Sequence, residues 1–273
     1  MVGPKKIFIK KYHNIMEINV IYNQNCFDTM NNHIDNKSID CILTSPPYNM
    51  TKRKGGFADS GRYDVYQDWL TEQEYVNFSI ELFNNFNNIV KENGTILYNL
   101  SFSKENGTLP YITVAEITKN TEWMVVDTIV WEKSNALPSP ADMRHSSRKC
   151  ELIYVFARKN EKDTFNRYPG ISSVGKNGQT YYHTYDNIIK AKNNDTKTTK
   201  LNQATYSTEL CTQLLKLYAQ PNNIIYDPFM GTGTTANACV LLNINYIGSE
   251  ISQQQCEYAI KRINETIQHK KKE

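Results

Sequence analysis

Apolar and polar positions alternate in short runs from early in the chain. Ile18-Asn19-Val20-Ile21-Tyr22 has the two-residue period of a brief strand, and Asn25-Cys26-Phe27-Asp28 reads as a turn carrying amide and acidic groups. Ile39-Asp40-Cys41-Ile42-Leu43 is an apolar run that predicts a buried strand ending at Pro46-Pro47. From Gln73 to Val90 the period becomes helical. Tyr75, Phe78, Leu82, Phe86, Ile89 and Val90 recur at helical spacing, and Asn93-Gly94 supplies the stop. Thr95 to Tyr98 predicts a strand, Tyr111 to Lys119 a helix, and Met124 to Trp131 and Glu151 to Ala157 two further strands. Short apolar strands alternating with amphipathic helices predict an α/β fold on a largely parallel, doubly wound sheet.

The pattern lapses between Arg158 and Gln203, where Gly, Asn, Thr, Tyr and Lys dominate. It resumes at Thr208 with a helix stripe of Leu210, Leu214 and Leu217 that ends near Pro221. A strand from Ile224 to Asp227 follows, then a glycine turn, a helix from Thr234 to Leu242 and a strand from Tyr246 to Gly248. The last helix, from about Gln253, sets Cys256, Ala259, Ile260, Ile263 and Ile267 on one face.

Composition changes this picture little. With 273 residues, 40% of them hydrophobic and 22% charged, the chain can bury one sizeable core. A net charge of +3 is too small to identify a polyanion partner, but the charge is unevenly placed. Residues 158–200 hold nine Lys or Arg against four Asp or Glu, a balance of +5, with Tyr168, Tyr181, Tyr182 and Tyr185 interleaved. That segment reads either as a solvated lysine-rich insertion or as a nucleic-acid-reading insert. No stretch is long and apolar enough to span a bilayer, and no h-region or cleavage site follows the first lysines, so a cytoplasmic protein is expected. The six scattered cysteines form no C-x-x-C pair and are expected to be reduced core residues, and no metal is expected from the histidine spacing. No Pro-Cys dipeptide occurs, so a thiol nucleophile is unsupported.

Two stretches carry candidate chemistry. Ser45-Pro46-Pro47-Tyr48 makes a rigid corner, because two prolines fix φ and remove two backbone donors. Such a corner can be a stiffened strand exit, or it can accept hydrogen bonds from a planar amine while Tyr48 stacks on the ring bearing it. The second stretch is the strand, Gly231-Thr232-Gly233 turn, helix and strand that leads to Glu250. This is a nucleotide-binding half-site without the third glycine of a dinucleotide fold and without a P-loop lysine. Asp227 at the strand tip suits the amino group of an amino-acid-bearing nucleoside, and Glu250 suits a ribose. Taken singly, Asp227 also reads as a turn or cap aspartate and Glu250 as a surface carboxylate, and it is their spacing that favours the ligand roles.

Taken together, these stretches resemble the β-class DNA amino-methyltransferases, a circularly permuted family that uses S-adenosylmethionine. Ser45-Pro46-Pro47-Tyr48 is similar to its (D/N/S)-P-P-(Y/F/W) motif, and Asp227-Pro228-Phe229-Met230-Gly231-Thr232-Gly233-Thr234-Thr235 to its D-P-F-x-G-(S/T)-G-T-T motif. Tyr246-Ile247-Gly248-Ser249-Glu250 matches its aromatic-Ile-Gly-x-Glu segment. At Thr205-Tyr206-Ser207 the chain departs from the family, which often has a proline there. The resemblance implies a Rossmann-like methyltransferase domain with its catalytic half at 1–157, a basic target-recognition insert at 158–205 and its cofactor half at 206–273. It implies methyl transfer to the exocyclic amine of a base flipped out of double-stranded DNA. The implied catalytic residues are Ser45, Pro46, Pro47 and Tyr48. The implied cofactor residues are Asp28, Asp227, Phe229, Gly231, Gly233, Thr234, Thr235 and Glu250. Lys52, Arg53, Lys54, Arg144, Arg148, Lys190, Lys192, Lys197 and Lys200 are expected to grip phosphates. Serine at the first motif position goes more often with cytosine N4 in that family, so N4 is preferred to adenine N6. A homodimer and a companion restriction endonuclease are compatible with the resemblance. The other readings are an RNA or protein-glutamine methyltransferase, disfavoured by motif order, and a non-catalytic DNA-binding partner subunit.

Overall fold

The computed structural model describes residues 16–49, 70–101, 106–136, 146–195 and 205–272. In chain order its strands are β1 (Val20–Tyr22), β2 (Ile39–Thr44), β3 (Val90–Leu100), β4 (Trp123–Lys133), β5 (Cys150–Arg158), β6 (Ile171–Val174), β7 (Thr180–Tyr182), β8 (Ile188–Ala191), β9 (Ile224–Asp227) and β10 (Asn245–Ser249). The helices are α1 (Cys26–Asn32), α2 (Glu72–Ile89), α3 (Leu109–Asn120), α4 (Thr208–Tyr218), α5 (Thr234–Leu242) and α6 (Gln253–Lys270). Eight strands form one sheet in the order β1-β10-β9-β2-β3-β5-β4-β8, and β6 and β7 form a separate antiparallel hairpin. Within the large sheet β5 alone runs against both its neighbours, β3 and β4, and the remaining pairings are parallel. The predicted α/β class with a largely parallel sheet is what forms.

Both faces of the sheet are covered, as a parallel sheet requires. Strand alternation sorts the side chains. Cys41 and Leu43 of β2 point to the core made with α4, α5 and α6, which includes Leu210, Leu214, Cys239 and Ile263. Ile42 between them points to the opposite core, made with α1, α2 and α3, which includes Met30, Phe83, Phe86 and Ile117. In that second layer Phe83, Tyr98 and Phe156 meet edge to face, with ring centroids 4.7 to 6.4 Å apart.

Several local expectations are corrected. Asn25 to Asp28 is not a turn but the start of α1, with Asn25 as N-cap accepting from the Phe27 amide at 2.9 Å. The segment around Lys190 is not free of periodicity either. β8 extends the main sheet beside β4, with Ile189 and Ala191 buried and Ile188 and Lys190 exposed. The β6–β7 hairpin was not predicted either, and β3 begins at Val90 rather than Thr95, so α2 stops at Ile89 and Asn93-Gly94 lies inside a strand. The other predicted elements form within a few residues of their places, and α5 falls on its predicted span. All six cysteines are free thiols, five of them buried, and burial pushes the Cys26 and Cys41 thiols up to about 12.

The sheet reverses its direction of growth between β9 and β2: one half proceeds outward to β10 and β1, the other to β3 and beyond. At that switch point the ends of the two strands are tied side chain to side chain. Thr44 Oγ1 donates to Asp227 Oδ1 at 2.8 Å. Three more donors complete the set: the Phe229 amide at 3.0 Å, Tyr206 OH at 3.1 Å and Thr235 Oγ1 at 2.6 Å. Asp227 is 1% exposed, and burial raises its carboxyl above the usual range while the four hydrogen bonds oppose that rise.

Two stability predictions follow from this packing. Asp227→Ala strands the Phe229 amide and the Thr44 hydroxyl in a dry site. Relief of a buried charge offsets part of the loss, and unfolding free energy is expected to drop by about 3 kcal/mol in urea titration. Gly233 caps α5 at φ 80°, and a Cβ there would lie 2.8 Å from the Ala259 Cβ of α6. Gly233→Ala is therefore expected to cost about 2 kcal/mol by the same measurement, from left-handed strain and overpacking together. An unchanged midpoint in either variant would contradict this account.

Candidate active site

In a parallel sheet the carboxyl ends of the strands share one edge, and ligands bind there at the switch point. β2 delivers Ser45 to Tyr48 to that edge, β9 delivers Asp227 and the glycine turn, and β10 delivers Glu250. The Thr44–Asp227 contact therefore brings together the two motifs that stood 183 residues apart in sequence.

The proline corner is held from three sides. Tyr75 of α2 donates to the Pro47 carbonyl at 2.8 Å, which occupies one of that oxygen's two lone pairs. Asn49, at φ 51°, clasps residue 70 through both ends of its amide, donating to the Leu70 carbonyl at 2.8 Å and accepting its N–H at 2.6 Å. Tyr48 is half-buried, and its ring packs against the core beneath while its hydroxyl enters a polar cluster. Ser45 Oγ donates to Tyr48 OH at 2.9 Å. Tyr48 OH faces Asn99 Oδ1 at 2.8 Å and Glu151 Oε2 at 3.0 Å. The Asn99 amide is oriented by donating to the Leu152 carbonyl at 3.1 Å. Lys133 completes the cluster with an ion pair to Glu151, its ammonium 4.9 Å from the Trp131 ring centre.

Asn99, Glu151 and Lys133 were not singled out in the sequence. Topology explains their arrival. Asn99 and Lys133 lie at the ends of β3 and β4, whereas Glu151 lies at the start of β5, whose antiparallel course puts its beginning at this same edge. The register that pairs Glu151 with Trp131 is a long-range fact with no local signal.

The glycine turn has two residues in left-handed conformation, Gly231 at φ 53° and Gly233 at φ 80°. Glu250, 9% exposed, accepts from the Gly231 amide at 2.7 Å through one oxygen and from the Ser252 amide at 2.8 Å through the other. It thereby ties the end of β10 to the turn. The Phe229 ring is half-buried and lies 6.2 Å from Phe78, which in turn lies 5.9 Å edge-on from Phe27. This three-ring wall beside the turn was not foreseen beyond Phe229. Asp28 stands exposed in the first turn of α1, next to Phe27. Thr234 and Thr235 open α5: Thr235 serves Asp227, and Thr234 Oγ1 accepts from Arg262 of α6 at 3.1 Å. Arg262 also ion-pairs with Asp195, whose carboxylate accepts from Thr208 at the start of α4. The end of the central segment is thus fastened to the glycine turn.

The expected phosphate contacts are less concentrated. Arg148 lies two residues before β5, at the same edge as the corner. Lys190 is exposed and 3.6 Å from Glu132, and Lys192 is exposed just past β8. Lys52, Arg53, Lys54, Arg144, Lys197 and Lys200 lie outside the described residues.

Comparison with known proteins agrees with this geometry. Type II methyltransferase M2.MboI of Moraxella bovis is 28% identical over 267 residues, which covers 90% of this chain and 87% of that protein. Type II methyltransferase M.HinfI of Haemophilus influenzae is 26% identical over 255 residues, covering 91% of this chain and 69% of that protein. Among solved structures, the PvuII DNA methyltransferase (cytosine-N4-specific) shares the fold with a TM-score of 0.67 at 15% identity over 91% of each chain. The M1.HpyAVI–SAM complex shares it with a TM-score of 0.59 at 22% identity, covering 89% of this chain and 98% of that one. Residues 39–261, which run from β2 into α6 and contain both motifs, match the N6 and N4 methyltransferase family described as DNA methylase, and the chain belongs to that family.

Proposed function

We propose that this DNA methyltransferase transfers the methyl group of S-adenosylmethionine to the exocyclic N4 amine of a cytosine swung out of double-stranded DNA. The observation that carries the reading is the direction of the hydrogen bond at the corner. Ser45 spends its proton on Tyr48 OH, so its oxygen keeps lone pairs for an incoming N–H. A serine acceptor suits a planar amine without adding a charge, and the PvuII enzyme that shares the fold is named as cytosine-N4-specific.

The residues of the glycine turn fit S-adenosylmethionine. Thr232 Oγ1 lies in the turn, buried and without a hydrogen-bond partner among the described residues, as a hydroxyl awaiting a polar ligand would. Phe229, backed by Phe78 and Phe27, offers an apolar wall for an adenine ring, and Glu250 and Asp28 offer carboxylates for hydroxyl and amino groups. Bound there, the cofactor supplies an electrophilic methyl group. The chain's own part is positioning. Tyr48 gives the flipped base a stacking face worth about 1–3 kcal/mol, which offsets a flipping cost of a few kcal/mol. Ser45 and the Pro46 carbonyl turn the amine's lone pair toward the methyl, and most of the acceleration comes from that alignment. The segment 158–205, with its exposed Tyr181, Tyr182 and Lys190, serves as the target-recognition insert and holds phosphates.

Two experiments test this. Digestion of DNA methylated by the protein, followed by nucleoside mass spectrometry, is expected to show N4-methylcytosine. A methyladenine product instead would transfer the reading to adenine N6, and no methylated base would remove it. DNA affinity is expected to fall steeply with salt, log K dropping by about 0.9 per phosphate neutralised. Changing Lys190, Lys192, Lys197 and Lys200 together to glutamate should flatten that slope, whereas an unaltered slope would free the insert of any phosphate role.

A further inference from the structure

The polar cluster behind the corner has a direction that amine positioning alone leaves unexplained. Methyl transfer leaves the amine nitrogen cationic, with one N–H bond more than the product holds. Ser45 cannot keep that proton, because a neutral hydroxyl has no basic site to retain it. Yet Ser45 is the first link of a chain. It donates to Tyr48 OH at 2.9 Å, and Tyr48 OH faces two acceptors, Asn99 Oδ1 at 2.8 Å and Glu151 Oε2 at 3.0 Å. An amide oxygen can orient a hydroxyl but does not take its proton at neutral pH, whereas a carboxylate can. Glu151 is 8% exposed and lies against Lys133, and it has no proton to donate while it is ionised.

We infer that Glu151 is a positioning residue and proton sink for methyl transfer, acting on the target amine through Tyr48 and Ser45. The inference rests on the DNA-amine reading above. Because an ionised carboxylate only accepts, it fixes both hydroxyls in one sense, with Tyr48 pointing toward Glu151 and Ser45 toward Tyr48. The Ser45 lone pairs are thereby turned outward before substrate arrives. After transfer, the amine N–H bond breaks toward Ser45 Oγ and its electron pair stays on nitrogen. The Ser45 proton passes to Tyr48 and the Tyr48 proton to Glu151 Oε2. Both hydroxyls are restored, the base becomes neutral, and Glu151 becomes a neutral acid that later releases its proton to water. One proton moves, and a cation and an anion cancel. Among the described residues, the charged or titratable groups facing Glu151 are Lys133 from β4 and Tyr48 from the corner. Lys133 is the sink's ion-pair partner.

The alternative is that Lys133 and Glu151 merely pin β4 to β5, and kinetics separates the two. Single-turnover transfer of labelled methyl to DNA would be measured across pH for wild type, Glu151→Gln, Glu151→Asp and Tyr48→Phe, with denaturation midpoints taken without cofactor. Glu151→Gln is expected to lose about 10²-fold in rate, with little change in KM for DNA or cofactor and with loss of the acid limb of the pH profile. Glu151→Asp should recover part of both. Tyr48→Phe keeps the ring and the Lys133–Glu151 pair but cuts the chain, and should lose the acid limb as well, so the test survives a Glu151→Gln that fails to fold. A Glu151→Gln rate near wild type, or a slowed rate with the acid limb intact in both variants, overturns the relay. A wild type that binds cofactor yet transfers nothing to DNA overturns the substrate reading itself, and the relay with it.

Discussion

A single buried carboxylate decides where everything else in the site can be. Asp227 has almost no contact with water, and an ionised carboxylate in such a place is tolerated only if its oxygens are fully engaged. Four donors meet that demand, and they come from four parts of the chain: the end of β2, the segment before α4, the turn after β9 and the first turn of α5. The requirement to satisfy one charge therefore fixes the proline corner, the glycine turn and the entrance to two helices relative to one another. The Tyr206 and Thr235 hydroxyl oxygens also lie 2.7 Å apart where both meet Asp227 Oδ2, so the donors are packed against each other around the carboxylate.

The side that carries the proline corner is built by different means. There the acid is Glu151, at the start of the one strand that runs against its neighbours in the sheet, and its companion Lys133 ends the strand alongside. Reversing one strand in a parallel sheet changes which residues reach the functional edge: the beginning of β5 stands where an end would otherwise be. The two halves of the site thus have separate electrostatic centres. One is a desolvated carboxylate held by neutral donors, the other a carboxylate balanced by an ammonium, and the Thr44 to Tyr48 segment passes between them.

Much of this was legible in the residues. Proline pairs and glycine turns constrain the backbone locally, so the corner and the turn could be placed before any contact was known. The helix Thr234–Leu242 was legible because its start is set by Gly233 and its apolar content is local. What was missed depends on pairing. β8 is four residues long, and its alternation means something only beside β4. α1 was hidden because Asn25 serves equally well in a turn or as a cap, and the choice falls to the packing of Cys26 and Met30 against the sheet. Tyr206, Asn99, Glu151 and Lys133 are ordinary residues in ordinary places until the sheet brings them to one edge. Asp227 was readable as a site residue, but its engagement by four internal donors was not.

The 183-residue separation between Thr44 and Asp227 bears on how the protein comes to exist in a cell. At synthesis rates of about 5–20 residues per second, β2 leaves the ribosome roughly 10–40 s before β9 can pair with it. During that interval the side of β2 that will meet β9, around Cys41 and Ile42, presents unpaired backbone N–H and C=O groups, the kind of edge that templates association with other chains. Parallel pairing over so long a loop is also slow once the partner exists. The central strand of this enzyme is therefore paired on one side only, with β3, for much of the time the chain is being made, and a nascent-chain chaperone has a defined segment to shield.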